Sequence, residues 1–410
     1  MLNQRGWGVR SIVGLCVLSF AQTFTIGAYP TIVPEMATAV GLSDWQLGTV
    51  AGMLGFARLV AALPVGVVLG GYLRAALTTA PFLLTAGVLL LASGWSFATL
   101  AVARFAMGVA HSLMMIGGLT AMLRHHPPHT LGAALNAFEF SAMLGMLGGV
   151  ALAGSLPATL AWNHVYLVAC SPQLVGIVAL PFLLGSLPSS DETASIRAAV
   201  APAATPGRRR GAVTPLVALA FATGMMASTA YSTLEQFTLP LRATGEFGLD
   251  RSGVARLFMI MQLCDIAMLL PMGFVADRLP KSRMLGVVTM FLATGTFLIA
   301  FGELSLLRLG CAVAGLGMAG WMLPLGVLRH ETPPERIGWR TALYRVGVDG
   351  GIFLGPFLSG LVGREHLSVV PTLTAAVLAG IGLVLLTVNA KSLTVEAPAP
   401  ATRPVSRLES

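Results

Sequence analysis

Apolar residues fill this chain in twelve long blocks, at 9–33, 44–69, 75–96, 98–123, 131–155, 163–187, 213–239, 251–276, 283–302, 304–328, 338–362 and 367–390. Polar residues, glycines and prolines collect in the short gaps between them. About 20 residues of helix cross a hydrocarbon layer, at 1.5 Å of rise per residue. A backbone in lipid has to satisfy its own hydrogen bonds, so each block is expected to be a membrane-spanning helix. The blocks are numbered here as spans 1 to 12.

Composition supports that pattern. Of 410 residues, 55% are hydrophobic and only 10% charged, with a mean hydropathy of +0.81. Soluble domains carry roughly 25% charged residues, so a soluble fold is excluded and a lipid bilayer is the expected surrounding. The net charge of +8 would suit nucleic acid, but the basic residues do not form a patch. They sit in alternate gaps instead. Arg5, Arg10, Arg74, Arg124, Arg197, Arg208, Arg209, Arg210, Arg278, Lys281, Arg283, Arg329, Arg336, Arg340 and Lys391 fall on one side. Only Arg242, Arg251, Arg308, Arg364 and the borderline Arg256 fall on the other. Both termini are therefore expected in the cytoplasm, and no nucleic-acid partner is expected. The first block is too long for a cleavable signal and lacks a small-residue cleavage pattern, so it reads as the first span. Cys16, Cys170, Cys264 and Cys311 lie inside apolar blocks, without the spacing of a disulfide framework or metal site.

The chain repeats itself. Arg124-His125-His126-Pro127-Pro128-His129-Thr130-Leu131-Gly132 mirrors Arg329 to Gly338. The glycines then match at an offset of 206: Gly132 with Gly338, Gly145 with Gly351, Gly149 with Gly355, Gly154 with Gly360. Gly41-Leu42-Ser43 matches Gly248-Leu249-Asp250 at 207, with Ser43 and Asp250 as N-cap residues. Residues 1–187 and 213–390 thus read as two related six-helix halves. Residues 188–212 read as a Pro-, Ala- and Arg-rich cytoplasmic linker, and 391–410 as a disordered tail.

Two six-helix halves with these motifs resemble the major facilitator superfamily, an all-α integral membrane fold of twelve helices in two pseudo-symmetric bundles. Gly273-Phe274-Val275-Ala276-Asp277-Arg278, followed by Lys281 and Arg283, resembles the family's G-x-x-x-D-R loop. The other expected copy, between spans 2 and 3, is degraded: Gly70 replaces the aspartate and only Arg74 stays basic. Arg104-Phe105-Ala106-Met107-Gly108 resembles the R-x-x-x-G motif of proton-coupled members. Tyr29-Pro30-Thr31-Ile32-Val33-Pro34 resembles the span 1 exit of drug:proton antiporters. Their span 5 motif is partial, with Val150 in place of proline, and the fuller Gly351-x-x-x-Gly355-Pro356 stands in span 11. The resemblance implies that spans 1, 4, 7 and 10 line a cavity and that spans 2, 5, 8 and 11 form the seams. It also implies that Asp277 and Arg278 latch the cytoplasmic gate.

Arg58, Glu139, Asp265, Arg345 and Asp349 fall on seam spans. Arg58 and Asp265 lie about 12 residues, or ~18 Å, from their cytoplasmic ends, near mid-membrane. Charges so placed are functional candidates. One reading pairs them: Arg345 with Asp349, four apart on one face, or Arg58 with Asp349 across the span 2–span 11 seam. The other makes Glu139, Asp265 and Asp349 proton carriers, with Glu139 and Asp265 facing each other without a basic partner. On the cavity spans, helical spacing aligns Gln22, Thr25 and Tyr29; Arg104 and His111; Ser228, Ser232, Glu235 and Gln236; and Cys311, Met318 and Met322. From these, Gln22, Tyr29, Arg104, His111, Glu235, Gln236, Met318 and Met322 are the expected substrate contacts. Arg104 suits an anionic group and Glu235 a cationic one. A methionine stripe also reads as packing, and a lone histidine as a structural residue. His125, His126 and His129 flank two prolines and read as a turn rather than a metal site.

The expected function is secondary active transport of a small amphiphilic organic molecule across the inner (cytoplasmic) membrane. Proton-coupled export of a drug or a secondary metabolite such as a siderophore leads. Proton-coupled uptake of an organic acid is the alternative. A membrane-embedded enzyme is remote, because no loop can hold a catalytic domain. No cofactor or metal is expected, and the working unit is expected to be a monomer.

Overall fold

The structure, a computed structural model, describes residues 9–126, 130–187, 213–276, 278, 280–332 and 337–387. Span 1 is Val9–Val40, span 4 Phe97–His125 and span 5 Leu131–Ser155. Spans 2 and 3 are two helices within Asp44–Ala92 that meet at Tyr72, where the backbone leaves the helical region (φ −125, ψ 34). The connection expected around Gly70 and Arg74 is therefore a sharp kink between two helices. Span 6 is Trp162–Cys170 and Leu174–Ser186, joined by a 3-10 turn at Ser171–Gln173. Span 7 is Pro215–Thr233, a π-helical turn Leu234–Thr238, and Leu239–Gly245. Span 8 is Arg251–Ala276 and span 9 Lys281–Phe301. Span 10 is Leu304–Met318 and Leu323–Glu331; span 11 is Ile337–Val362 and span 12 Val369–Thr387. Among the described residues, eleven helices are long and apolar enough to cross a membrane. The remaining expected span is the first limb of Asp44–Ala92.

Spans 1 to 6 pack together, chiefly span 1 on 5 and 6 and spans 2 and 3 on 4. Spans 7 to 12 do the same, with 7 on 11 and 12, 9 on 10 and 12, and 8 on 10. The main contacts between these bundles are span 2 with span 11 and span 5 with span 8. Small residues make the first of these close. A Cβ at Gly48 would overlap the Pro356 carbonyl, and one at Gly360 would lie 2.6 Å from the Asp44 carbonyl.

The repeat is visible in the backbone. Gly41 and Gly248 both adopt left-handed angles, φ 70° and 62°, which glycine tolerates at a helix C-terminus. The following Leu42 and Leu249 N–H groups donate back to the Ala37 and Ala243 carbonyls at 3.0 and 2.9 Å. The next helix is then capped. Gln46 Oε1 accepts from Ser43 N–H at 3.1 Å, and Asp250 Oδ1 accepts from Gly253 N–H at 2.8 Å.

Ion pairs join the bundles on the face where span 1 ends and span 2 begins, the distal face. Arg251 at the start of span 8 grips Glu35 through two bonds of 3.0 and 2.6 Å. Its Nη2 also donates to the Leu160 carbonyl at 2.9 Å. Arg364 Nε lies 2.6 Å from Asp44 Oδ1, and its backbone N–H donates to Oδ2 at 2.8 Å. A bidentate clamp at Arg251 and a side-chain-plus-backbone clamp at Arg364 therefore hold this face shut.

Both the clamps and the caps can be tested. Replacing Arg251 with alanine strips Glu35 of its partner, and removing a buried charged hydrogen bond costs ~1.5–3 kcal/mol. The Glu35 side chain is 38% exposed, so about 1–2 kcal/mol is expected here. That is on the order of a tenfold rise in the open population of the distal face. Faster maleimide labelling of a cysteine placed at Ala37, which is buried while the face is closed, reads it; an unchanged rate counts against the clamp. Asp250→Ala should cost about 1 kcal/mol as a lost N-cap, and Asp250→Ser much less. The Gly253 N–H and then the Ser252 hydroxyl hold the Asp250 carboxyl below the usual carboxylate range. Its contribution is therefore complete above about pH 4 and fades as pH falls below that value. Thermal unfolding in detergent at pH 3 and pH 7 measures both effects.

Candidate functional site

Pro240 sets the geometry of span 7. It has no N–H to give the Gln236 carbonyl, so the ladder widens to a π-turn in which Leu239 N–H reaches the Leu234 carbonyl. The turn, Leu234 to Thr238, lies inside an unbroken buried run from Ser232 to Ala243. Glu235 and Gln236, adjacent in sequence, both face protein, at 1% and 5% exposure.

Arg104 of span 4 meets this turn. Its Nη2 donates to Gln236 Oε1 at 2.8 Å and to the Ala51 carbonyl of span 2 at 3.2 Å. The guanidinium carbon stands 3.8 Å from the centroid of the Tyr29 ring of span 1. A desolvated cation over an aromatic face gains up to ~2 kcal/mol. Four spans from both bundles therefore converge on one arginine that is 1% exposed. Glu235 is within electrostatic range of it and interacts with Tyr231, one turn earlier.

Several polar atoms here are buried and unpartnered. They are Arg104 Nε and Nη1, the Tyr29 hydroxyl and Glu235 Oε1, together with Asp265 Oδ1 and both polar atoms of Gln262 on span 8. Leaving such a group unpaired costs about 1–3 kcal/mol, so each needs an account. Arg104 and Tyr29 of the first bundle present unused donors, Glu235 and Asp265 of the second present unused carboxylate oxygens, and Gln262 presents both kinds, an arrangement complementary to a molecule that offers donors and acceptors. Tyr231 and Gln262 are absent from the residues singled out by sequence. The signal is there as Tyr231 and Glu235 four apart and Gln262 and Asp265 three apart.

The seam charges form a separate group. Arg58 Nη2 lies 2.7 Å from Asp349 Oδ1, so of the two pairings considered, the one across spans 2 and 11 forms. Glu139 interacts electrostatically with Arg345 and Arg58. Asp265 bears instead on Tyr231. The facing pair of Glu139 and Asp265 is thus replaced by two different environments, because Glu139 looks toward span 11. His111 is 8% exposed and lies in the field of Arg58 and Arg345, so it belongs with the seam group and not with Arg104 two turns away.

Other expected contacts sit elsewhere. Gln22 lines a small cleft inside the first bundle with Leu18, Leu84, Met114 and Gln173, away from span 7. The methionine stripe on span 10 is interrupted. Met318 packs in the core of the second bundle beside Cys311, whereas Met322 is 45% exposed. The cause is Pro324, which cannot bond the Gly320 carbonyl. Residues Ala319 to Met322 form a turn with shorter bonds, Gly320 to Gly317 and Trp321 to Met318. Helical spacing does not carry across it. Asp277 lies outside the described residues, and Arg278 is exposed in a turn. Among the described residues, no cluster of three histidine, cysteine or acidic side chains has metal-site spacing.

Comparison with known proteins agrees with this architecture. Two segments, 15–242 and 216–408, match the family model for the Major Facilitator Superfamily. A POT family transporter solved in complex with 5-aminolevulinic acid superposes with a TM-score of 0.76 at 14% identity, over 93% of this chain and 97% of that one. The nucleoside transporter NupG superposes with a TM-score of 0.69 at 15% identity, over 92% and 100%. A point mutant of the same transporter gives 0.70 at 14%, over 92% and 98%. These neighbours are not antiporters by description, so the likeness stops at the fold. With twelve spans in two packed bundles and the family match running from residue 15 to 408, the chain belongs to the major facilitator superfamily.

Proposed function

We propose that this transporter is a proton-coupled exporter of a small amphiphilic organic molecule, working by alternating access. The observation that carries the reading is the set of unpartnered donors and acceptors around Arg104, Tyr29 and Glu235, where spans 1, 4 and 7 meet. A substrate with an anionic or acceptor end and a donor end completes both. The neighbouring structures are described as transporters of a nucleoside and of the POT family with 5-aminolevulinic acid, both classes of small polar molecule. Export is favoured by the span 1 exit motif, whose Tyr29 is the residue stacked on Arg104. In this reading residues 1–187 and 213–390 are the rocking halves, 188–212 the linker and 391–410 a tail. The protein acts as a monomer in the inner membrane with both ends in the cytoplasm. The closed distal face then excludes an outward-open state.

A second reading, uptake of an organic acid with protons, is favoured by the arginines inside the membrane, Arg58, Arg104 and Arg345. Transport assayed in right-side-out and inverted vesicles separates the two by sign.

Arg104→Ala should abolish transport, a loss of at least about a hundredfold, with normal membrane insertion. Arg104→Lys should rescue poorly, because an ammonium cannot keep both the ring contact and the forked bonds. Wild-type transport in Arg104→Ala would remove Arg104 from the site. Metabolite profiling of cells and medium after deletion identifies the molecule to assay.

Asp265 is the proposed proton carrier, because its electrostatic neighbour is a tyrosine and no arginine neutralises it. Taking up a proton neutralises a carboxylate that lies within the membrane. Asp265→Asn should abolish gradient-driven accumulation while substrate exchange without a gradient survives. Accumulation at the wild-type level in that variant would assign the proton elsewhere.

A further inference from the structure

We infer that the seam cluster around Arg345 is a binding subsite for an anionic group, a carboxylate or phosphate, on the transported molecule. The inference rests on the transport reading above and gives it a chemical class. Arg345 differs from the other membrane arginines. Arg104 is 1% exposed and held by a ring, a carbonyl and an amide. Arg58 is already paired with Asp349 at 2.7 Å. That pairing takes the carboxylate one turn along span 11 that Arg345 would otherwise use. Among the described residues, no carboxylate oxygen lies within 4.0 Å of Arg345, and its side chain is only partly buried. This guanidinium in a membrane span is partly buried and has no carboxylate at contact distance; Asp349 and Glu139 balance it only from further away.

Its surroundings suit an oxyanion. Arg58 of span 2 adds a second guanidinium within electrostatic range, and Tyr344 and Asp349 of span 11 complete the near field with Glu139 of span 5. His111 of span 4 feels both arginines and brings an imidazole to the same place. Glu139 is the one nearby carboxylate without a partner at contact distance, and it competes with an incoming anion for Arg345. Guanidinium presents two parallel N–H groups that match carboxylate and phosphate geometry, which favours those groups over halide. The contributing spans, 2, 4, 5 and 11, come from both bundles. An anion bound here therefore touches both sides of the seam and is sensitive to their separation.

The test uses the full chain in neutral phosphatidylcholine nanodiscs, labelled with phenylglyoxal and read arginine by arginine by mass spectrometry. Arg345 is expected to react at least about tenfold faster than Arg104. Benzoate or inorganic phosphate should slow that reaction at least about threefold without altering the labelling of Arg278 in its exposed turn. Glu139→Gln should lower the half-protecting benzoate concentration at least about threefold. Labelling of Arg345 as slow as that of Arg104, or labelling that neither anion slows, overturns the subsite. So does protection that appears only in nanodiscs containing phosphatidylglycerol, since the anion is then a lipid headgroup. If benzoate protects Arg345 but deletion of the gene shifts no metabolite between cells and medium, the subsite stands and the transport reading falls. If a metabolite shifts but Arg345 is unprotected, transport stands and the subsite falls.

Discussion

A backbone in hydrocarbon must find its hydrogen-bond partners within its own helix, and the rest of this structure follows from where that rule is relaxed. Proline is the agent in two places. Pro240 widens span 7 into a π-turn, and Pro324 breaks span 10 after Met318. The first is enclosed by protein, whereas the second leaves Met322 45% exposed. The π-turn lies within an unbroken buried run, Ser232 to Ala243, so Glu235 and Gln236 are both enclosed by protein although adjacent in sequence.

Charge in this chain is handled in two ways. At the distal face Arg251 makes a short forked pair with Glu35, and Arg364 meets Asp44 through one guanidinium nitrogen and its backbone N–H; these join bundles whose seams also carry glycines and the Arg58–Asp349 pair. Inside the membrane the pattern is looser. Arg104 is neutralised by an aromatic face and amide oxygens, Arg58 by Asp349, and Arg345 by no carboxylate at contact distance among the described residues. Incomplete pairing is costly in a static core. It suits a protein whose two halves change separation, since each partial interaction can be completed by substrate, water or the other half.

Much of the architecture was legible along the chain. Block length and hydropathy set the number of spans, because thickness and backbone satisfaction leave helices as the solution. The matched glycines set the internal symmetry. Gly41 and Gly248 take the same left-handed turn because the same local constraint, a helix end followed by a capped helix, recurs. Arg104, Tyr29, Glu235 and Gln236 could be placed on cavity-lining spans by helical spacing together with the family resemblance. Arg58 and Asp349 could be named as one of two possible pairs.

What sequence spacing could not decide was partner choice between helices. Regular periodicity puts Met318 and Met322 on one stripe of span 10, and Pro324 cancels it, so the two part company. Gln22 and Thr25 lie on nearly one stripe with Tyr29, yet Gln22 turns into the first bundle and Tyr29 meets Arg104. Glu139 and Asp265 match by depth, but the rotation of each helix about its axis sends one to Arg345 and the other to Tyr231. Depth and face are local properties that a sequence determines through rise and turn. Which of several buried charges meet depends on helix rotation and crossing, set by packing over the whole bundle, and only the tertiary structure decided that.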